Sequence, residues 1–389
     1  MKQFFSLLLI SFLATAVQAD DTVVAYVKNV SGNATVENAG VAVQARPGTP
    51  IRMGNILRTG ERSSLGVTFK DNTLMSFGSG SQTTVGEYLY APGKSESRLI
   101  ASMARGTLEY VSGIIAKLKP EAVAVRTPTG TIGIRGTHFL AKVDTATMQP
   151  TKQPDSPPVA QRPATTPAEF PEIPSDTNYL IIWWARAEAE LSGATRAPRP
   201  VAVATAPAMP KPLDSYVVLG KNPDGSAGRI SFTDKSNRSV EIGQPGFGVM
   251  MEAGNKGAFG IDQKKLAADF TEAMLALPKL PVTLLLHYQT GGTQLTKESE
   301  ARIQEILKEV GLRQVPDVSI IGHTDTVGTP ERNDALGLRR AQSVAAVIKT
   351  AGLSVQDVTI ASHGENNLLV KTPTNTPEPR NRRVEVTVR

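Results

Sequence analysis

A proline-rich stretch divides this chain of 389 residues into two parts whose sequence patterns differ. Residues 146–212 hold 13 of the 27 prolines, and a proline lacks the backbone N–H that helices and sheets require. Six basic and six acidic side chains balance each other in the same stretch, which predicts an extended segment without a core. Because the whole chain is too long for one ordinary core, we expect folded modules on both sides.

One apolar island interrupts the proline-rich stretch. Residues Tyr179–Trp184 read Tyr-Leu-Ile-Ile-Trp-Trp and include both tryptophans of the chain. Large apolar side chains are usually buried, so we expect a short strand or helix that docks on a neighbouring domain. A partner-binding peptide is the alternative interpretation.

The composition argues against several classes of function. The chain has no cysteine, which excludes disulfides, thiol nucleophiles and cysteine-based metal sites. Basic residues outnumber acidic ones by 14 to 10 in residues 20–144 and by 13 to 12 in residues 284–389, so neither part predicts a nucleic-acid partner. There is no Gly-x-Ser-x-Gly motif and no phosphate-binding glycine loop. We therefore predict a non-enzymatic protein with no cofactor.

The first 19 residues have the pattern of an export signal. Lys2 precedes an apolar run from Phe4 to Val17, and Val17-Gln18-Ala19 places small residues at the −3 and −1 positions of a cleavage site. A run of 14 residues is shorter than the roughly 20 that span a bilayer. We expect cleavage before Asp20 and export into the periplasm; an uncleaved membrane anchor is the alternative.

Residues 20–145 alternate short apolar runs with glycine-containing turns. Val23–Val27, Leu65–Phe69, Thr73–Phe77 and Val123–Arg126 are rich in the residues that favour strands. Asp71-Asn72 can occupy the tip of a hairpin, because both residue types tolerate a left-handed backbone. The pattern predicts an antiparallel sandwich, barrel or solenoid.

Three blocks in this part resemble the FecR domain: Gly54–Ser63, the Phe69-x-Asp71 hairpin and Val125–Thr137. The resemblance implies a periplasmic, all-β module. The family has no settled ligand, so the resemblance leaves open whether an envelope protein or a glycan is the partner of this module.

Strand-like runs resume after the proline-rich stretch, in Tyr216–Gly220, Gly228–Phe232 and Ser239–Gln244. Three such strands alone would expose their edges and one apolar face. We therefore predict that residues 213–254 complete the FecR-like sheet and that residues 146–212 are an insertion, which costs little because loop-closure entropy grows slowly with length. A helical connector is expected over residues 255–283.

Residues 284–389 alternate strands with helices and predict a compact βαβαββ-like α/β domain. The expected strands are Leu284–Tyr288, Val318–Gly322, Val358–Ser362 and a last one through Val384, Val386 and Val388. Thr296 can cap the first helix. The second helix is expected from Leu338 to Thr350, with Gly337 at or near its N-cap.

A carboxylate and a guanidinium are predicted on one rim of this domain. Asp325 follows the end of a strand, and Arg340 is expected in the first turn of the next helix, whose N-terminus favours anions. Such a pair suits a zwitterion, with the ammonium on Asp325 and the carboxylate on Arg340. An internal salt bridge between the two side chains is an equally good interpretation. His323 and His363 follow comparable strand ends and could be neighbours, but without carboxylates at ligand spacing they do not predict a metal site.

The same region closely resembles the OmpA-like C-terminal peptidoglycan-binding domain, over residues 284–389. The resemblance rests on three blocks in order: Gly322-His323-Thr324-Asp325 through Asn333, Leu338–Val344 and Asn381–Val386. It implies that Asp325 and Arg340 grip the zwitterionic end of meso-diaminopimelate in the peptidoglycan stem peptide. Thr324, Asn333 and Arg382 belong to the same implied site. The chain departs from the family pattern at His287-Tyr288-Gln289 and at Gly337.

Together these patterns predict a multidomain protein with an N-terminal all-β FecR-like module and a C-terminal α/β OmpA-like domain. We expect an exported, non-enzymatic envelope protein that binds peptidoglycan non-covalently and is associated with the wall or the outer membrane. Two alternatives stay open: a sensor or signalling component that uses the wall as an anchor, and an envelope enzyme that the C-terminal domain targets to peptidoglycan.

Overall fold

The computed structural model describes residues 22–90, 96–144, 215–251, 257–288, 294–355 and 357–389. The export signal, residues 146–212 and the Tyr179–Trp184 island lie outside the described residues.

Seventeen strands of the described residues form the N-terminal module as two sheets that share strand β9. The strands are β1 (Val23–Ser31), β2 (Ala34–Asn38), β3 (Val41–Gln44), β4 (Pro50–Arg52), β5 (Ile56–Thr59), β6 (Ser64–Phe69), β7 (Leu74–Phe77), β8 (Gln82–Tyr90), β9 (Ser97–Val111), β10 (Val123–Arg126), β11 (Gly130–Arg135), β12 (His138–Val143), β13 (Ser215–Leu219), β14 (Arg229–Asp234), β15 (Ser239–Ile242), β16 (Phe247–Met250) and β17 (Ala258–Gly260). The first sheet has the order β4-β1-β6-β7-β9-β12-β13-β16-β17. The second has the order β3-β2-β5-β8-β9-β10-β11-β14-β15. The N-terminal module is therefore built mainly of β-strands, as predicted.

Strand β9 passes from one sheet to the other at Gly106. Its first part pairs with β8 as far as Arg105, and its last part pairs with β12 from Gly106 onward. Gly106 has a φ of 96°, and a Cβ there would collide with Ser81, so only glycine fits at this crossing. The crossing closes the two sheets over one apolar core, in which the Tyr110 and Phe139 rings stack 4.9 Å apart.

Residues 215–251 pair with strands that precede the proline-rich stretch. Phe139 in β12 is opposite Leu219 in β13, and Ile132 in β11 is opposite Phe232 in β14. Two strands of this segment thus join each sheet, β13 and β16 the first and β14 and β15 the second. Strand β13 is buried on both faces, in agreement with its apolar run Tyr216–Leu219. These pairings are the ones that the insertion hypothesis requires.

Two α-helices of the described residues pack in the same module. Helix α1 (Ile114–Leu118) follows β9, and helix α2 (Gln263–Leu275) covers the outer face of the first sheet. Phe270 of α2 packs edge-on against Tyr216 with 5.8 Å between ring centroids. The stretch expected to be a helical connector therefore begins with strand β17 and continues with a helix that packs on the sheet.

The C-terminal domain runs β18 (Val282–His287), α3 (Lys297–Gly311), β19 (Asp317–His323), α4 (Pro330–Thr350), β20 (Asp357–Gly364) and β21 (Arg383–Val388). Its sheet has the order β18-β21-β19-β20, in which β19 and β20 are parallel and the other pairs antiparallel. Thr296 caps α3 by accepting a hydrogen bond from the Ser299 amide. The predicted α/β class is thus confirmed.

The second helix of this domain begins earlier than predicted. The Thr329 side chain caps α4 and Pro330 occupies its first turn, a combination that marks a helix start. The predicted start near Leu338 is wrong, because the N-cap is Thr329 and not Gly337. Gly337 lies inside the helix, where a Cβ would collide with the Ser362 hydroxyl and press on the Gly322 carbonyl. The glycine allows the helix to approach the sheet, and Arg340 lies well inside the helix instead of in its first turn.

The two faces of the C-terminal sheet contact different parts of the protein. Helices α3 and α4 cover one face with an apolar core. The other face meets the N-terminal module through polar side chains: Lys28 pairs with Asp317, Arg389 Nη1 donates to the Lys70 carbonyl at 2.6 Å, and Tyr26 Oη donates to Asp357 Oδ2 at 3.1 Å. The described residues of both modules belong to one compact unit.

Candidate ligand-binding site

The predicted site residues surround a loop that follows strand β19. The Thr324 amide donates to the Gly364 carbonyl at 2.9 Å, which ties the loop to the end of the neighbouring parallel strand β20. The Thr326 hydroxyl donates to the Pro373 carbonyl at 2.6 Å. Gly328, with a φ of 106°, completes the turn into α4. The loop is therefore held at both sides before any ligand binds.

Asp325 lies in this loop and is 7% exposed. Its Oδ2 accepts a hydrogen bond from Arg382 Nη1 at 2.8 Å and one from the Glu378 amide at 3.3 Å. Its Oδ1 accepts only the long contact of 3.3 Å from the Val327 amide among the described residues. The ion pair of Asp325 is thus made with Arg382 and not with Arg340.

Arg340 is 5% exposed, and no carboxylate of the described residues lies within ion-pair distance of it. Its Nη1 donates to the His323 carbonyl at 3.4 Å, and its Nε has no partner in the described part of the chain. The guanidinium lies 5.2 Å from the centre of the Tyr288 ring, and Tyr288 Oη donates to the Arg340 carbonyl at 2.8 Å. Burial lowers the pKa of Arg340, but an arginine remains charged in proteins.

Asn333 faces the same loop from the second turn of α4 and is 4% exposed. Its Nδ2 donates to Glu365 Oε2. A carboxylate can only accept, so this contact fixes the amide orientation and leaves Asn333 Oδ1 as an acceptor. The structure therefore brings Thr324, Asp325, Asn333, Arg340 and Arg382 to one end of the sheet.

Two residues that the sequence analysis did not assign also contribute. Glu365 orients Asn333, and Tyr288 packs against Arg340. Glu365 follows His363-Gly364, and the ends of adjacent parallel strands share one edge of a sheet, a signal that could have identified it. In the sequence, Tyr288 stands out only as part of the departure His287-Tyr288-Gln289 from the family pattern. Its role is visible only in the structure, where the Arg340 guanidinium packs on its ring.

Beneath the loop, His323 and His363 are neighbours, with ring centroids 5.0 Å apart. Burial lowers the pKa of both, and for His363 to about 3. Burial would raise the pKa of Glu385, but His323 and Arg383 outweigh it and hold that pKa at about 2. Within the described ranges, no group of three or more acidic or histidine side chains could hold a metal ion.

Residues 287–382 match the model of the OmpA family, and residues 55–151 match the model described as FecR protein. The C-terminal domain is OmpA-like, and the N-terminal module is FecR-like. Both resemblances stated from the sequence are thereby confirmed, and each covers only its own part of the chain.

The curated proteins to which this chain is similar include two lipoproteins. A peptidoglycan-associated lipoprotein of Legionella pneumophila is 41% identical over 68 residues, which cover 18% of this chain and 39% of the relative. The outer-membrane lipoprotein YfiB of Pseudomonas aeruginosa is 30% identical over 95 residues, which cover 24% of this chain and 56% of the relative. The chain thus spans about two fifths of the length of the first relative and just over half of the second.

Among solved structures, the peptidoglycan-associated lipoprotein of Burkholderia pseudomallei is 21% identical, with a TM-score of 0.25, and covers 27% of this chain and 89% of its own. Across the described ranges, no helix has the length and apolar character needed to cross a membrane.

Proposed function

We propose that this protein binds peptidoglycan non-covalently through its OmpA-like domain, by gripping the zwitterionic end of diaminopimelate in the stem peptide. The observation that carries the proposal is Arg340, a buried cation without a carboxylate partner among the described residues. A buried charge is costly unless it is paired, so the site is suited to an anionic group that arrives with the ligand.

The chemistry of the site matches both ends of a zwitterion. A ligand carboxylate can accept hydrogen bonds from the Arg340 guanidinium, whose Nε is unused in the described structure. A ligand ammonium can donate to Asp325 Oδ1, which holds only one long hydrogen bond. The Arg382 pair fixes the carboxylate of Asp325 in place, and Asn333 Oδ1 offers a further acceptor.

The proposal also concerns the location of the protein, which is the cell envelope. The names of the two relatives describe a peptidoglycan-associated and an outer-membrane lipoprotein. We place the protein in the periplasm on the wall, where it presents the FecR-like module without catalysing a reaction. The strand pairings of β13 and β14 support the plan in which residues 146–212 are an insertion in that module.

Co-sedimentation with purified walls tests this function. The protein should pellet with diaminopimelate-type peptidoglycan, and less with lysine-type walls, whose stem peptides lack the second carboxylate. Asp325→Ala and Arg340→Ala should each weaken binding by roughly 2–5 kcal/mol, because each truncation leaves a charge of the ligand unpaired in the site.

Arg339→Ala is the matched control, since Arg339 is the preceding arginine of the same helix and is exposed. It should bind like the natural protein. Equal sedimentation of the Asp325, Arg340 and Arg339 variants would overturn the assignment of the site. Release of soluble muropeptides during the incubation would overturn the non-enzymatic part of the proposal.

A further inference from the structure

Four polar side chains lie under the binding loop, on the face of the C-terminal sheet opposite the helices. We call them the floor cluster: His323, His363, Arg383 and Glu385. The first three are at most 2% exposed. Arg383 donates to Glu385 Oε1 from Nε at 2.8 Å and from Nη2 at 2.6 Å, and His323 Nε2 lies 3.5 Å from the same oxygen.

Two residues of the floor cluster are adjacent in the chain to residues of the binding site, where strand β19 ends and strand β21 begins. His323 belongs to the floor cluster, while the next residue, Thr324, begins the binding loop. Arg383 belongs to the floor cluster, while the preceding residue, Arg382, pairs with Asp325. The His323 carbonyl is also an acceptor for Arg340. A shift of the floor cluster must therefore move groups that form the site.

The FecR-like module contacts the floor cluster through Tyr90, at the end of β8. The Tyr90 and His363 rings meet edge-on with 6.5 Å between their centroids, and His363 in turn packs edge-on against His323 at 5.0 Å. The Tyr90 hydroxyl is buried and has no hydrogen-bond partner within the described residues. The contribution of this side chain is therefore the packing of its ring and not a hydrogen bond.

We propose that the FecR-like module supports the floor cluster beneath the ligand-binding site and that Tyr90 is a positioning residue for the loop that carries Asp325. The proposal rests on the proposed function, since it concerns the same site. It assigns the N-terminal module an indirect part in ligand binding, since no residue of that module belongs to the site itself. The Tyr90 ring packs against the His363 ring, and His363 packs against His323. The His323 carbonyl accepts a hydrogen bond from Arg340, and the residue after His323 begins the loop.

Binding of the full mature chain to diaminopimelate-type peptidoglycan tests the proposal with three variants. Tyr90→Ala should weaken binding about tenfold, which corresponds to a modest loss of positioning. Tyr90→Phe should restore natural binding, because the hydroxyl has no partner in the described structure. Tyr26→Ala removes another tyrosine from the same module face, next to Asp357 at the opposite end of β20, and should leave binding unchanged.

A ligand-free measurement separates this proposal from the proposed function. In hydrogen exchange, the Tyr90→Ala chain should show faster exchange in peptides that cover residues 323–328, with unchanged exchange in helix α3. If the natural chain fails to bind peptidoglycan but this change is seen, the proposed function fails and the positioning role stands. Unchanged exchange in residues 323–328, or a Tyr90→Phe variant that resembles Tyr90→Ala, would overturn the positioning role.

Discussion

The two faces of the C-terminal sheet are both buried, but by opposite means. On the helix face, side chains such as Leu286, Ile320 and Val386 form an apolar core with α3 and α4. On the module face, Asp317 and Arg389 are 3% and 2% exposed, and they meet Lys28 of the FecR-like module. One sheet therefore has one apolar and one ionic interface.

The two interfaces contribute to the structure in different ways. Apolar burial gains free energy roughly in proportion to area and tolerates small rearrangements of the side chains. A buried ionic interface gains little net free energy, but it is costly when one partner is missing. The helix face should therefore supply most of the stability, and the module face should fix how the FecR-like module docks beside the binding loop.

Removal of Asp317 should produce the largest effect. Asp317→Ala leaves Lys28 and Arg389 buried without their shared carboxylate, so the free energy of unfolding should fall by about 3–5 kcal/mol. Urea unfolding of the full chain measures the change. Asp357→Asn is the control on the same face, because that carboxylate is a quarter exposed, and it should cost less than about 1 kcal/mol. A loss below about 1 kcal/mol for Asp317→Ala as well would mean that the module face is solvated throughout.

On the helix face, Gly337→Ala should destabilise the protein, although alanine is normally preferred to glycine in a helix. Alanine is favoured over glycine by about 1 kcal/mol inside a helix, yet Gly337→Ala should destabilise the protein by about 2–3 kcal/mol. The reason is that the new Cβ would meet the Gly322 backbone and the Ser362 hydroxyl. Thermal unfolding shows the sign directly, and Gly311→Ala provides the control, since nothing lies within 4 Å of a Cβ there. A stabilised Gly337→Ala variant would show that the close approach is not required.

The same contrast explains what could be predicted from the sequence. The alternation of Val384, Val386 and Val388 identified a strand with one apolar face, and the α/β class followed from such patterns. The charged residues that alternate with these valines, Arg383, Glu385 and Arg389, look solvent-exposed in a sequence, and only the docked module shows that this face is covered. A burial that depends on long-range ion pairs leaves no local periodic signal.

The site was predictable only in part for a similar reason. Asp325 and Arg340 came from their places relative to the predicted strand and helix, and Asn333 came from the family resemblance; the structure places all three at one end of the sheet. The pairing of Asp325 with Arg382 was not predictable, because the two residues are distant in the chain and meet only through the order of the strands. The predicted start of helix α4 was wrong because a glycine at a helix–sheet contact, such as Gly337, and a glycine at a cap look alike in a sequence.

The smallest expected effect is a pH dependence that belongs to the module face. Burial lowers the pKa of His363 to about 3, whereas an unfolded histidine titrates near 6.5. Between these values the unfolded chain binds more protons than the folded one, so the stability contributed by neutral His363 is complete above about pH 6.5 and is lost as the pH falls toward 3. At pH 5 the loss should be about 2 kcal/mol.

The measurement is urea unfolding at pH 7 and pH 5 for the natural chain and for His363→Gln, which cannot titrate. The natural chain should lose about 2 kcal/mol more than the variant over this interval, and an equal loss in both chains would show that His363 is charged in the folded protein and that the module face admits water beside Tyr90.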